Sequence, residues 1–415
     1  MDKIYPEITV YGAYWCPDCT RSKQFLGEHQ IPYTWVNIED DQAGEAYVIQ
    51  KNDGKRIIPT IEFGDGSILV EPSNAALAQK LGLKTSAERN HYDLIILGGG
   101  PAGLTAALYT AREGIDTLVI ERAAPGGQAA TTQWLDNVPG FSQGISGADF
   151  SGQLRAQIER FGAELLQAQD VISVHSHSNY HCVTTADGSE YSARTLLITT
   201  GSRYRLLNVP GEDDFIGAGI HFCATCDGVF YKGKSVAVVG GGNSAAEESI
   251  FLTRFVDQVT LLVREPELMA SQILMDKVLS HPGINIRFNT DVQEFRGSGG
   301  KLESVLIKNN QTGIEEEITP AGVFIFIGQI PNTSFLHDSG VEVDDWKFII
   351  TGHDLVHNRQ EREGYETREP VSLETSIPGI FSAGDVRASS TKQVASAAGE
   401  GAAAALMIRE YLKSV

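Results

Sequence analysis

The chain has 415 residues, 42% of them hydrophobic and 21% charged, which is enough apolar material for two or three domains with real cores. Its formal net charge of −20 argues against nucleic acid or an anionic membrane surface as a partner, because phosphate is repelled. No apolar run approaches the ~20 residues of a membrane span, and Met1-Asp2-Lys3 leads straight into a strand pattern, so a cytoplasmic protein is expected.

Residues 1–84 read as one unit. Ile8-Thr9-Val10-Tyr11 is strand-like and runs into Trp15-Cys16-Pro17-Asp18-Cys19, followed by a helical run through Leu26. A second strand is expected from about Tyr33 to Ile38. Ile58-Pro59-Thr60 opens a third that ends at Phe63, and Gly64-Asp65-Gly66 turns the chain into Ile68-Leu69-Val70. Ser73 or Asn74 caps a last helix that ends at Gly82. Residues 85–91 are polar and read as a linker.

The next segment has a different grammar. Tyr92 to Leu97 is a buried-strand run feeding Gly98-Gly99-Gly100-Pro101-Ala102-Gly103, then a helix to about Glu113 and a strand reaching Glu121. The same pattern recurs at Val236 to Val239, Gly240-Gly241-Gly242-Asn243-Ser244-Ala245, a helix, and Val259 to Val263. A lone G-x-G-x-x-G is weak evidence. Each copy here follows a strand, opens a helix and has an acidic residue ~20–25 positions later, which is the context of a dinucleotide site. Glycines let backbone approach a pyrophosphate, and the helix N-terminus stabilises its charge. Glu121 and Glu265 are placed to accept from ribose hydroxyls. Residues 352–370 are polar and aperiodic and read as a surface loop.

Four of the five cysteines form two Cys-x-x-Cys pairs, Cys16/Cys19 and Cys223/Cys226. A zinc ribbon places its two knuckles ~15–20 residues apart, whereas about 200 separate these, so no metal site is expected. A cysteine at a helix N-terminus feels the dipole and free amide donors, which favour the nucleophilic thiolate. Pro17 suits the first helical turn, and Ile58-Pro59 has the context of a cis bond beside the dithiol. Cys182, alone in a strand-like segment, reads as a buried spectator.

From about residue 91 to the end the chain resembles the low-molecular-weight thioredoxin reductases. The resemblance is carried by Gly98-x-Gly100-x-x-Gly103, Gly126-Gly127-Gln128, Asn137-x-Pro139-Gly140, Cys223-Ala-Thr-Cys226-Asp227, Gly240-Gly-Gly-Asn-Ser-Ala-Ala-Glu-Glu248 and Gly384-Asp385. The Cys-Ala-Thr-Cys-Asp element is the most specific of these. The N-terminal unit resembles glutaredoxin-like proteins through Trp15-Cys-Pro-Asp-Cys19 and Ile58-Pro59-Thr60.

The resemblance implies an α/β fold class: a thioredoxin-fold domain (1–84), then two Rossmann-like three-layer domains. The FAD domain (92–205 and 329–415) is split by an inserted NAD(P) domain (206–328) that carries the dithiol. It also implies a homodimer in which electrons pass from NAD(P)H through FAD to Cys223/Cys226. From there they pass to Cys16/Cys19 and on to a protein or small disulfide, a peroxiredoxin included. Cys226 is then the sulfur beside the flavin, Cys223 the interchange thiol and Asp227 the acid/base. FAD falls to Gly98, Gly100, Gly103, Glu121, Gly126, Gly127, Gln128, Asn137, Asp385, Lys392 and Gln393. The nicotinamide dinucleotide falls to Gly240, Gly242, Asn243, Ser244, Ala245, Arg264 and Glu265.

Two departures from the family pattern shape the expectations. NADPH-using members carry a His-Arg-Arg cluster and a later Arg, whereas this chain reads Val263-Arg264-Glu265 with Met269 at the later position. Glu265 repels a phosphate and suits a free ribose, so NADH is favoured slightly. In the redoxin unit, Gly66-Ser67-Ile68-Leu69-Val70-Glu71 replaces the glutathione-holding pattern, which favours charging by the attached reductase. The rival readings are the peroxiredoxin-feeding flavoprotein of alkyl hydroperoxide reductase, a family with two thioredoxin-like units, and a redox-responsive flavin sensor.

Overall fold

The computed structural model describes residues 7–414, apart from 30, 133, 178, 299–300, 357–364 and 366–367. It divides into two units, residues 1–132, 145–201 and 331–415 in one and 133–144 with 202–330 in the other. Most of the aperiodic stretch 352–370 lies outside the described residues. Its opening, His353–Val356, is one helical turn.

The first unit begins with a four-stranded sheet in the order Thr34–Asn37, Ile8–Gly12, Thr60–Phe63, Ile68–Val70, the first pair parallel and the others antiparallel. Helices Pro17–Glu28, Gln42–Lys51 and Asn74–Lys80 accompany it. Ile8, Val10, Phe25, Leu26, Ile61, Phe63 and Leu77 form its core. Helix Gln42–Lys51 has no counterpart in the sequence reading. Only Gly44 and Val48 on it are buried, so it has no apolar stripe to detect. Its start is set by Asp41, whose carboxylate accepts the amides of Ala43 and Gly44. Such a cap contributes about 1 kcal/mol.

The larger part of this unit is a seven-stranded sheet. Strand His91–Leu97 lies between Thr117–Ile120 and Glu190–Ile198, parallel to both, and Ile380–Ser382 returns from far along the chain to pair with Glu190–Ile198. Alternation on the central strand decides which side each residue buries. Leu94 and Ile96 join the core on one face, under helices Pro101–Arg112 and Val394–Ser414, while Ile95 and Leu97 join the core on the other. A strand buried on both faces reads as a continuous apolar run, which is why Tyr92 to Leu97 stood out.

The second unit repeats this logic. Its five-stranded parallel sheet runs Ile220–His221, Val323–Ile325, Ser235–Val239, Gln258–Leu262, Ile284–Arg287. Val236 and Val238 face one core, Ala237 and Val239 the other. A three-stranded antiparallel sheet, Thr290–Ser298, Lys301–Asn309 and Glu315–Ile318, completes the unit. This is the expected α/β class with two Rossmann-like sheets. Among the described residues, no helix is long and apolar enough to cross a membrane and no cluster of three acidic, His or Cys side chains is arranged to hold a metal.

The segment read as a linker is anchored by side chains of the seven-stranded sheet. Glu164, at the start of a strand of the seven-stranded sheet, accepts from Lys84 Nζ at 2.8 Å, the Glu88 amide at 2.8 Å and the Tyr92 hydroxyl at 2.6 Å. Gln167 donates its amide to Lys84 O, and Ala168 packs into the core of the four-stranded sheet.

Candidate functional site

The strand-to-helix turn of the first fingerprint leaves room only for glycine at two places. Gly98 has φ +104°, and a Cβ there would press on Thr199 O; a Cβ on Gly103 would fall on Gly98 O. Gly100 caps helix Pro101–Arg112 without a side-chain hydrogen bond, and the space over its α-carbon is open. Glu121 reaches back to the turn, its carboxylate accepting the amides of Gly99 at 2.6 Å and Ala123 at 2.8 Å. Gly126 donates its amide to Gly99 O at 2.6 Å, which lays Gly126 and Gly127 along the same turn. Gln128 is exposed on the short helix Gly127–Thr131, its carbonyl accepting from the Thr131 and Thr132 hydroxyls. Asn137 is exposed and belongs to residues 133–144, which group with the second unit.

At the C-terminal end, Gly384-Asp385 is held by Glu400, a residue the sequence reading missed. Its carboxylate accepts the Gly384 amide at 2.7 Å and Arg387 Nη2 at 2.7 Å. No local motif announces a carboxylate sixteen residues away on the final helix. Burial raises the Asp385 carboxyl above its ordinary value. Lys392 donates to Asp385 O at 2.6 Å and Arg387 O at 3.1 Å, and its ammonium lies 4.2 Å from the centre of the Phe348 ring. Burial pulls Lys392 down to about 8. Gln393 follows, its carbonyl accepting the Ala397 amide.

In the second unit Gly240 repeats the arrangement of Gly98, with Phe326 O in place of Thr199 O. Gly242 is again an uncapped N-cap facing open space, here at the head of helix Asn243–Leu252. Asn243 and Ser244 are exposed, Asn243 Oδ1 accepting the Ser271 amide at 2.7 Å, while Ala245 is buried against the sheet. Arg264 and Glu265 follow the second strand and are both exposed. Arg264 Nε pairs with Asp291 Oδ1 at 2.8 Å. Met269 is exposed, and its amide donates to Gly241 O.

The N-terminal ends of helices Pro101–Arg112 and Asn243–Leu252 therefore present their first-turn amides to open space behind a turn that admits no side chain. That is the shape and polarity a pyrophosphate requires, so the residues fit FAD in the first unit and a nicotinamide dinucleotide in the second.

The two cysteine pairs share one local design. Cys223 caps the helical turn Ala224–Asp227, and its Sγ accepts the Cys226 amide at 3.1 Å; the pair is a disulfide. Cys16 caps helix Pro17–Glu28, and its Sγ accepts the Cys19 amide at 3.1 Å; this pair is the dithiol. Ile58–Pro59 is cis, and Cys16 Sγ lies 3.7 Å from Ile58 O. Burial pushes the Cys19 thiol up to about 12, so it stays protonated at neutral pH. Tyr14 and Trp15 stand exposed beside Cys16. Cys182 is only half-buried in strand His181–Thr185, a correction to its expected burial, because its strand lies near the edge of the sheet.

Asp227 has partners that the sequence reading did not name. His221 Nδ1 lies 3.3 Å from Asp227 Oδ2, and His221 Nε2 lies 2.6 Å from the Tyr231 hydroxyl.

Comparison with known proteins agrees in both parts of the chain. Residues 92–401 match the family described as pyridine nucleotide-disulphide oxidoreductase, and residues 8–68 match the glutaredoxin family. The chain is 38% identical over 330 residues to a thioredoxin reductase of Bacillus subtilis (strain 168), covering 79% of this chain and 97% of that protein. It is 37% identical over 324 residues to a thioredoxin reductase of Treponema pallidum (strain Nichols), covering 78% and 98%. The crystal structure of a thioredoxin reductase from Streptococcus pyogenes MGAS5005 superposes with a TM-score of 0.70 at 37% identity, over 79% of this chain and 99% of that one.

Proposed function

This chain belongs to the pyridine nucleotide-disulphide oxidoreductase family and carries a glutaredoxin domain ahead of it, and from that premise we propose a thioredoxin-reductase-like enzyme with a built-in electron acceptor. Electrons from NAD(P)H reach the Cys223/Cys226 disulfide, then Cys16/Cys19, then an external protein or small disulfide. The observation that carries this reading is the presence in one chain of two Cys-x-x-Cys motifs of the same design, Cys16 and Cys223 each capping a helical turn and accepting the amide of the second cysteine. A bound FAD would supply the two-electron step between nicotinamide and sulfur. The chain's own residues would do the rest. The amides behind Gly100 and Gly242 hold the two pyrophosphates. Glu121 and Glu265 accept from ribose hydroxyls, and Asp385 with Lys392 and Gln393 lines the flavin side.

The disulfide exchange balances without any further reactant. The Cys223 thiolate attacks the oxidised Cys16–Cys19 pair, one S–S bond breaks as a mixed disulfide forms, and Cys226 then displaces it. This regenerates Cys223–Cys226 and leaves the redoxin reduced. Asp227 manages the thiol proton. Arg264 is engaged by Asp291, and Glu265 adds a second carboxylate, which supports NADH as the preferred donor. A homodimer, a cytoplasmic address and the inclusion of a peroxiredoxin among the disulfide acceptors belong to the same proposal.

Anaerobic titration of the flavin-loaded full chain with NADH tests the route. The wild type is expected to take up two more electrons than Cys16→Ser. Equal uptake would take the redoxin domain off the path.

A further inference from the structure

Asp227 does not stand alone against water. It closes the turn that holds the disulfide, and its carboxylate meets a histidine on the sheet edge. His221 ends the two-residue strand Ile220–His221, which pairs in parallel with Val323–Ile325 so that His221 stands opposite Phe324. That register turns the imidazole onto the Phe324 ring, centroids 5.3 Å apart, and leaves its side chain about nine-tenths buried. Both ring nitrogens are then spoken for, Nδ1 by Asp227 Oδ2 at 3.3 Å and Nε2 by the Tyr231 hydroxyl at 2.6 Å. Room for the tyrosine ring comes from Gly322, where a Cβ would collide with it.

We propose that His221 is a positioning and proton-relay residue for Asp227, working with Tyr231 as the outer end of a carboxylate–imidazole–phenol chain. The proposal rests on the reading of Cys223/Cys226 as the redox pair with Asp227 as its acid/base. Two electrons break the Cys223–Cys226 bond and leave two sulfur anions, of which one takes up a proton while the other remains the thiolate that attacks the next disulfide. Asp227 in its acid form gives one to the neighbouring sulfur, and His221 Nδ1–H returns one to Asp227. Nε2 takes the Tyr231 proton, and the phenol regains it from water. Re-oxidation runs the chain backwards.

Two features make the chain able to move a proton and remain assembled. A phenol both donates and accepts, so the His221–Tyr231 bond survives either charge state of the ring. Burial, with the Asp227 charge second, holds the Tyr231 hydroxyl up at about 12, so it stays an O–H donor. The charged and titratable groups facing the imidazole are Asp227 and Tyr231, with Lys234 over the tyrosine ring at 5.8 Å.

The test uses the full chain reduced with dithiothreitol, so it does not depend on nucleotide or flavin. Alkylation of Cys223 by iodoacetamide, read by peptide mass spectrometry across about pH 5.5 to 9, reports how the acid/base neighbours of the thiol titrate. The wild type is expected to show an added step on the acid side. His221→Gln keeps a hydrogen-bonding side chain that cannot change charge. It should lose that step and differ from wild type by roughly fivefold at low pH, converging at high pH. Tyr231→Phe should shift the same step. A profile unchanged by His221→Gln, or one scaled equally at every pH, overturns the relay; should that variant not fold, an unchanged Tyr231→Phe profile overturns it. Failure of NADH or NADPH to reduce the wild-type disulfide would instead sink the electron route and leave this result readable.

Discussion

Arg264 and Asp291 form an ion pair at 2.8 Å beside the second fingerprint, one residue after the strand that ends at Leu262 and the other at the start of the antiparallel sheet. Arg264 is 74% exposed, so the pair adds little stability. On the proposed function its effect is on recognition, because Arg264, the arginine that follows the second strand, is already paired with a carboxylate. Asp291→Asn is therefore expected to raise the ratio of kcat/KM for NADPH over NADH by about tenfold, roughly 1.4 kcal/mol. An unchanged ratio in steady-state assays with both donors would show that Glu265 alone sets the preference.

Glu400 fixes the Gly384-Asp385 turn through a backbone amide and an arginine that are both largely buried. Glu400→Gln leaves Arg387 without its counter-charge and is expected to cost about 3 kcal/mol locally. FAD should dissociate roughly tenfold more readily, which flavin fluorescence on dilution would detect.

Lys84, Glu88 and Tyr92 converge on Glu164, which pins the linker at three points. Backbone amides of residues 85–92 should exchange slowly with deuterium in the wild type. Glu164→Ala should speed their exchange by tenfold or more, on the order of 1.4 kcal/mol of local stability. Fast exchange in the wild type would contradict the anchored linker.

Burial, then its hydrogen bond with Cys16, pushes the Cys19 thiol up to about 12, whereas Cys16, also buried, caps the helix. In the reduced protein, alkylation at pH 8 should modify Cys16 at least about a hundredfold faster than Cys19. Equal labelling of both would count against Cys16 as the attacking sulfur.

His181 is buried and pulled down to about 4 by that burial. The unfolded chain binds a proton near 6.5 that the folded chain refuses until about 4, so stability rises with pH across that window and is lost as pH falls through it. The contribution is roughly 3 kcal/mol at most. Thermal melts of His181→Gln should show a smaller fall in Tm between pH 6.5 and 4 than the wild type, and an identical fall would count against this group.

Much of the site was legible because its logic is local. A Cys-x-x-Cys pair meets at i and i+3 whatever surrounds it, and a strand buried on both faces writes itself as an apolar run. Helix Gln42–Lys51 stayed hidden because it buries almost nothing, although Asp41 signalled its start.

What the sequence by itself determined are the features made within a few residues: the two fingerprints, the two dithiol motifs, the acidic residues at the ends of the second strands. Tertiary structure alone decided their partners. Asp291 reaches Arg264 across 27 positions, Glu400 reaches Gly384 across 16, and Glu164 gathers a linker 72 to 80 residues earlier. His221 meets Asp227 and Tyr231 because an edge strand two residues long pairs in register with Phe324. Charge and hydrogen-bond complementarity act through space, and spacing along the chain carries no record of them until the sheets are ordered.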